Sequence, residues 1–425
     1  MALGGGKFNT QNKVLPGAYI NFVSAATGSM GVGSRGVVAM PIELDWGESG
    51  VIELTNATFL AKSRELLGYS VDSEKVQKIC EVLANAATLY LYRLNGTGTK
   101  ADCTYATAKY AGIRGNDLKI VVATNVDEPT KFNVATYLEN ALIETQTVAS
   151  ATELVDNAYV TFKTSATLEA TAGVALTGGT NGTVDGEAYS KALATFESYA
   201  FNTLACLSAE ETIKAVVVAY AKRLRDEVGQ KFQAIVCNVA ADYEGVINVD
   251  DINAIPWVAG AVGACEINKS CTNKTYNGEV AVKADYTQAE LEKAIKAGKF
   301  VFTKVGTEIH VLRDINSLTT FTTDKNSDFS NNQVIRVLDE DARATAEIFN
   351  TTFLGKVNNN ADGRIAFKSA LVSVAMEMQN IGAISGFSKD DITVEEGNLA
   401  RSVVVTKYIK PSQAMEMLYT TVYVN

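Results

Sequence analysis

Thr203-Leu-Ala-Cys-Leu207 and Phe232-Gln-Ala-Ile-Val-Cys237 are short runs almost without polar residues, and residues 209–228 between them carry Ile213, Val216, Val217, Tyr220 and Leu224 at helical spacing. A strand apolar on both faces must be covered on both faces, and an amphipathic helix joining two such strands is the usual cover of a parallel sheet. The alternation extends outward. A helix over 188–196 precedes it, and a strand over 245–249, a small-residue helix over 256–266, a helix over 288–296 and a strand over 300–304 follow. Residues 187–304 are therefore expected to form an α/β domain with a mostly parallel sheet.

Upstream, residues 34–95 read as a smaller α/β unit. A β-branched run over 37–44 is followed by a helix with Val76, Ile79, Cys80 and Leu83 on one face, Asp72 its candidate cap, and by a strand over 89–94 ending at Asn95-Gly96. Between 96 and 186 threonine becomes frequent and helical periods vanish. Short strands over 118–124, 132–138, 141–148 and 159–164, with a tight Glu139-Asn140 turn, predict an inserted β-sandwich that closes at the turn-rich Leu176-Thr-Gly-Gly-Thr-Asn-Gly-Thr183. Residues 305–425 mix strands over 309–312, 402–408 and 415–424 with helices over 332–349 and 364–379, an α+β pattern. Residues 1–33 are an arm and linker, with one strand over 14–23 and a Gly/Ser/Ala stretch over 24–33.

Composition narrows the chemistry. With 47% apolar residues, 20% charged and five prolines in 425, the chain is expected to fold around real cores. It holds one histidine, His310, which excludes His-rich zinc sites and leaves at most one imidazole-dependent catalytic constellation. Basic residues number 38 against 48 acidic, a net charge of −10, and no segment is strongly basic, so nucleic acid is not expected as a direct partner. The six cysteines, Cys80, Cys103, Cys206, Cys237, Cys265 and Cys271, form no C-x-x-C pair, and the start MALGGGKFNTQNK lacks an apolar signal core. They read as reduced thiols of a cytoplasmically made protein. The longest apolar stretch, over 215–221, is far below the roughly 18 residues of a membrane span.

The motifs that could carry chemistry are weak. Gly31-Val-Gly33-Ser-Arg-Gly36 matches a dinucleotide fingerprint, but Val37, Val38 and Pro41 supply a strand where that fingerprint needs a helix. Asn358-x-Asn360-x-Asp362-Gly363 resembles half a calcium loop, yet its twelfth position is Ser369, and a turn capping the next helix fits better. His310 sits in an alternating strand. Cys265 and Cys271 are expected to pack as small apolar groups, and Asp339-Glu-Asp341 to form a solvated or partner-facing patch. No catalytic, cofactor or metal residue is assigned.

The two terminal strands remain. Ala18, Ile20 and Phe22 alternate with Tyr19 near one end, and Met417, Tyr419 and Tyr423 alternate with Leu418, Val422 and Val424 at the other. Beyond Leu418 neither face is charged, and the N-terminal strand has no hairpin partner beside it, so both suit completion of a sheet in another subunit, the alternative being that they pair within their own chain. A glycan-binding adhesion module built on the Thr-rich sandwich, or an α/β hydrolase-like enzyme, are the alternatives.

Pro16-Gly-Ala-Tyr-Ile20, Arg35-Gly-Val-Val-Ala-Met-Pro-Ile-Glu-Leu-Asp-Trp-Gly47, Tyr110-Ala-Gly-Ile-Arg-Gly-Asn-Asp117, Leu176-Thr-Gly-Gly-Thr-Asn-Gly182, Asn268-Lys-Ser-Cys-Thr-Asn-Lys274 and Asp314-Ile-Asn-Ser-Leu-Thr319 resemble, in this order, the tail sheath proteins of contractile phage tails, especially those of Gram-positive myophages, defective prophages and phage-tail-like bacteriocins. The resemblance implies that 187–304 is subtilisin-like in fold without a catalytic triad, that the sandwich faces outward, and that the C-terminal domain faces the tail tube. It implies stacked hexameric rings in a helical array, terminal strands exchanged between neighbours, and contraction that drives the tube through the host envelope. Further implied partners are the tube, baseplate and tail terminator proteins, with no cofactor and no membrane contact. Residues 24–33 and 397–401 are the linkers expected to absorb the motion.

Overall fold

The computed structural model describes residues 35–424. The N-terminal strand with Ala18, Tyr19, Ile20 and Phe22, the first linker and most of the glycine fingerprint lie outside the described residues. Along the chain come β1 (Val37–Ile42), β2 (Val51–Thr55), α1 (Asn56–Leu67), α2 (Gln77–Leu83) and β3 (Thr88–Arg93). Seven short strands follow: β4 (Lys100–Asp102), β5 (Ala106–Ala111), β6 (Leu118–Thr124), β7 (Phe132–Leu138), β8 (Ala141–Val148), β9 (Val160–Phe162) and β10 (Thr171–Ala175). Then alternation sets in with α3 (Gly186–Phe196), β11 (Thr203–Ala205), α4 (Glu211–Arg223), β12 (Gln233–Cys237), β13 (Val246–Val249), α5 (Ile255–Ala264), α6 (Gln288–Lys296) and β14 (Lys299–Phe300). The chain closes with β15 (Phe302–Val305), β16 (Glu308–Val311), α7 (Asn332–Ile348), α8 (Ala361–Asn380), β17 (Ile392–Glu396) and β18 (Val403–Lys407).

One seven-stranded sheet, ordered β14-β13-β12-β11-β1-β3-β2, organises the larger part of the protein. Its pairs are parallel except β2 with β3. The stretch read from sequence as a small separate unit thus contributes three strands to the sheet of 203–300, joined where Val38 pairs with Thr203. Side-chain alternation explains the join. Val38 and Met40 enter one core with α2 and α5, while Ala39 enters the other with α3 and α4. A strand buried on both sides requires strands beside it and helices over it.

Helix α5, Ile255-Pro-Trp-Val-Ala-Gly-Ala-Val-Gly-Ala264, is apolar all round and buried on nearly every side, the condition such a sequence needs. A Cβ at Gly260 would collide with the Val82 carbonyl oxygen of α2, so only glycine allows this approach. Thr203 Oγ1 donates to the Ala259 carbonyl at 2.8 Å, satisfying a hydroxyl buried in the same seam.

The insertion between β3 and α3 holds two sheets, β10-β6-β7-β8 and β4-β5-β9. Leu118, Ile120, Val122, Val134 and Leu138 from the first share a core with Ala106, Ala108, Val160 and Phe162 from the second. Glu139 takes φ 56° in the turn between β7 and β8. The insertion begins and ends at one place, where Gly182 N donates to the Asn95 carbonyl at 2.9 Å.

Two compact units divide the described chain: residues 35–343, 382–385 and 410–424 in one, and residues 344–381 and 386–409 in the other. The smaller unit is built on α8 and the antiparallel β17–β18 pair. Phe353 and Phe349 stack around Phe367, with ring centroids 4.8 and 5.6 Å away. Residues 397–401, expected as a linker, are instead the turn between β17 and β18. Gly397 N donates to the Ser402 carbonyl and Ser402 N to the Leu399 carbonyl, at 2.9 and 2.8 Å, so the segment is pinned at both ends. Among the described residues no helix is long and apolar enough to cross a membrane.

Candidate inter-subunit arm and its anchor

After β18 the chain returns to the larger unit. Pro411 bridges Ile384, Ser385 N donates to the Lys410 carbonyl at 3.0 Å, and Ser412 N donates to the Ala383 carbonyl at 2.8 Å. Beyond these bonds side chains take over. Gln413 donates to Asp328 at 2.9 Å and accepts from Asn331 at 3.2 Å, and Ala414 N donates to Gln333 Oε1 at 3.0 Å. Glu416 completes the anchor: its Oε1 accepts from Thr272 Oγ1 at 2.9 Å and its Oε2 from Arg313 Nε at 2.7 Å.

Past this point the chain leaves the surface. Met417, Leu418, Tyr419, Val422, Tyr423 and Val424 are 68, 89, 87, 76, 88 and 92% exposed. Residues 415–424, expected from their alternation to be a strand, form no ladder within the described chain. A strand apolar on both faces needs a sheet edge beside it and covers over both faces, and among the described residues this segment pairs with no edge. An apolar tail held only at its root is an unsatisfied interaction surface. At its base Leu291, Ile295, Leu312 and Met417 line a groove of about 500 Å³.

Another open surface lies in the smaller unit. β17 and β18 pair only with each other, leaving both outer edges unpaired among the described residues. β17 packs against α8, and the free edges of the ribbon are templates for a further strand.

Several of the polar stretches quoted from the sequence turn out to be joints. Asp45 Oδ1 accepts from Asn181 Nδ2 at 2.8 Å, Asn116 Nδ2 donates to the Gly179 carbonyl at 2.9 Å, and Trp46 packs edge-on against Tyr110 at 5.2 Å. The Asp45–Asn181 and Trp46–Tyr110 contacts fasten the sandwich to the part of the chain that carries the seven-stranded sheet, while the Asn116–Gly179 bond holds the closing turn of the sandwich to its own body. Burial alone would raise the Asp45 carboxyl; hydrogen bonds from Asn181, Tyr69 and Lys75 outweigh it and hold the group below its ordinary value. The second joint is Asp314, fully buried, which accepts from Arg336 at 2.7 Å, Cys271 N at 2.8 Å and Asn332 at 3.0 Å. Its backbone N donates to Thr272 Oγ1 at 3.0 Å, the same hydroxyl that holds Glu416. The partners lie far apart in sequence, and no local pattern announces them.

The remaining motifs have structural partners. His310 Nδ1 lies 3.0 Å from the Asn273 carbonyl and Nε2 3.2 Å from Glu308 Oε2, so both ring nitrogens are engaged. Asn360 Oδ1 accepts from Gly363 N at 2.8 Å and caps α8. Ser73, not Asp72, caps the turn leading into α2, accepting from Lys75 N at 3.3 Å. The acidic run in α7 is not a solvated patch. Asp339 forms a two-pronged pair with Arg225 at 2.7 Å, both largely buried, and the buried Glu340 accepts from Arg343.

Comparison with known proteins follows the same divisions. Four family models match consecutive stretches: Tail sheath protein Gp18 domain III N-terminal region at 35–94, phage tail sheath protein beta-sandwich domain at 95–181, phage tail sheath protein central domain at 182–317, and phage tail sheath C-terminal domain at 324–425. The Phage-like element PBSX protein XkdK of Bacillus subtilis is 32% identical over 469 aligned positions covering 100% of both chains. The tail sheath protein of Clostridium phage phiCD119 is 27% identical over 43% of this chain and 54% of its own. Among solved structures, the sheath tail protein from Desulfitobacterium hafniense is 39% identical, covers 93% of this chain and 96% of its own, and superposes with a TM-score of 0.84. The sheath tail protein from Listeria innocua gives 32%, 90% and 93%, and 0.77. The contracted helical sheath of the anti-feeding prophage, 11% identical over 97% of this chain and 99% of its own, shares the fold at a TM-score of 0.54. With sheath domains matched in order from residue 35 to 425 and full-length relatives above 30% identity, this chain belongs to the contractile phage tail sheath protein family.

Proposed function

We propose that the subunits stack as hexameric rings in a helical array around a tail tube, and that contraction of the array drives the tube through a host envelope. The observation that carries this reading is the arm at 417–424, apolar on both faces and exposed, on a chain that fixes only its root. In an array the arm adds as a strand to a neighbouring subunit, its backbone completing a ladder and its side chains entering a core. Each large apolar side chain so buried contributes about 1.5–3 kcal/mol. The open edges of β17–β18 are the acceptor this chain itself offers, and Ala18, Tyr19, Ile20 and Phe22 of the N-terminal strand complete the exchange.

A contact repeated by a helical operator gives an open tubular array, and exchanged strands keep subunits connected while their bodies rotate and repack. Energy is then stored in interfaces and released cooperatively, without nucleotide or metal. The chain acts structurally and not catalytically; its subtilisin-like α/β domain serves as scaffold. The tube, baseplate and tail terminator proteins are its partners, and it is made in the host cytoplasm before joining the tail. Electron microscopy of the purified chain with and without its last ten residues tests the reading: long tubes from the full chain and folded, unpolymerised subunits from the truncation support it, and normal tubes from both overturn it.

A further inference from the structure

We propose that Cys265 and Cys271 are a redox-active dithiol pair, which a small-molecule disulfide of the glutathione class oxidises to an intramolecular disulfide. The inference is independent of the assembly proposed above. Cys265 ends α5 and is half-buried, whereas Cys271, six positions on, is fully buried. The loop between them folds back, with Lys269 N donating to the Glu266 carbonyl at 3.1 Å, and brings both sulfurs and an Asp314 oxygen within 4.8 Å of one another. The two sulfurs are thus close neighbours, and closure of a bond between them proceeds by rotation of the two side chains.

The surroundings favour a thiolate over a metal. Arg336, 1% exposed, donates through Nη2 to Asp314 and to the Lys269 carbonyl, while its Nε and Nη1 find no partner among the described residues. Arg35 Nε donates to the Cys265 carbonyl at 2.9 Å. Two guanidinium groups beside two thiols attract negative charge and repel a cation, and the Asp314 oxygens are already taken by Arg336, Asn332 and Cys271 N. The hydrogen bond from Cys271, aided by Arg336, brings the Cys265 thiol down to about 7, which makes it the attacking sulfur near neutral pH.

The chemistry balances. The Cys265 thiolate attacks one sulfur of glutathione disulfide, forming a mixed disulfide and releasing one glutathione thiolate, which takes a proton from water. Cys271 Sγ attacks Cys265 Sγ as the bond to the second glutathione breaks, and the departing glutathione sulfur takes up the proton that the buried Cys271 thiol gives up. Two electrons pass from the protein to glutathione. The pair stays reduced in a reducing compartment and closes in an oxidising one. Because Cys271 N bonds Asp314 and the adjacent Thr272 holds Glu416, the closed pair stiffens the loop that carries the arm's anchor.

The test uses the full chain, reduced, desalted and incubated with glutathione disulfide at mildly alkaline pH, then denatured for thiol titration and peptide mapping by mass spectrometry. The expected result is a fall from six free thiols to four, a mass loss of two hydrogens, and one linked peptide pair joining Cys265 to Cys271. C271S should stop at a glutathione adduct on Cys265, and C265S should form no linkage. Six thiols surviving every disulfide-to-thiol ratio, a stable adduct on Cys265 in the unaltered chain, or a linkage elsewhere would each overturn the proposal.

Discussion

Arg313 donates its Nε–H to Oε2 of Glu416 at 2.7 Å across 103 positions of sequence, and from Leu418 to Val424 the large apolar side chains stand exposed. The pair fixes where the arm starts and in which direction it departs.

Glu416→Ala should therefore loosen the arm's root while leaving the body folded. The lost charge-assisted bonds are partly solvated, so the expected cost is about 1–2 kcal/mol, roughly tenfold faster hydrogen exchange at the Ser412 and Ala414 amides. Unchanged exchange there would mean that the backbone bonds of Ser412 and Ser385 anchor the arm unaided.

Asp314→Ala strands Arg336 without its carboxylate in a site that is 1% exposed. Breaking a buried pair from one side costs about 3–5 kcal/mol, which denaturant titration would read as a lower midpoint.

The same carboxyl makes stability depend on pH. Burial would raise Asp314, but Arg336 and the hydrogen bonds hold it below the ordinary 3.8. A depressed folded-state value means that its contribution is fully present above about 3.8 and lost as pH falls through the lower folded value. The acid limb of the unfolding curve should therefore flatten in the Asp314→Ala protein, measured by circular dichroism at stepped pH.

Gly112 takes φ 134°, and a Cβ there would strike the Asp45 carbonyl oxygen at the sandwich joint. Gly112→Ala should destabilise by more than about 2 kcal/mol, combining backbone strain with overpacking, and the loss should show as a lower melting temperature.

Because Gly182 N bonds the Asn95 carbonyl, residues 97–181 can be replaced by a short Gly/Ser loop without stretching the sheet. The excised protein should keep the seven-stranded sheet and polymerise, with modest destabilisation from the newly exposed Trp46. A folded chain that no longer polymerises, seen by electron microscopy, would place the sandwich within the array's contacts.

Much of this was legible in the sequence, for identifiable reasons. Two-sided apolar strands such as Phe232-Gln-Ala-Ile-Val-Cys237 announce a covered parallel sheet, and the all-apolar α5 announces burial. What periodicity does not encode is pairing at long range. Nothing near Val38 says that it lies beside Thr203, so residues 34–95 read as a unit of their own. Asp339 looked solvated because its partner, Arg225, lies 114 positions away. β17 went unnoticed because Glu395 and Glu396 blur the alternation of Ile392 and Val394, and without it the turn at 397–401 read as a linker. In the arm, alternation marked residues 415–424 as a strand apolar on both faces, but among the described residues they form no ladder, because alternation carries no information about a pairing partner.

The most direct measurement is a cryo-electron microscopy map of the polymerised chain, traced through residues 411–424. The account predicts that Met417, Leu418, Tyr419, Val422, Tyr423 and Val424 continue as a strand hydrogen-bonded into a sheet of a neighbouring subunit, with Glu416 still on Arg313 of its own. A map in which those residues fold back onto their own subunit, or remain solvent-exposed within a complete array, would contradict it.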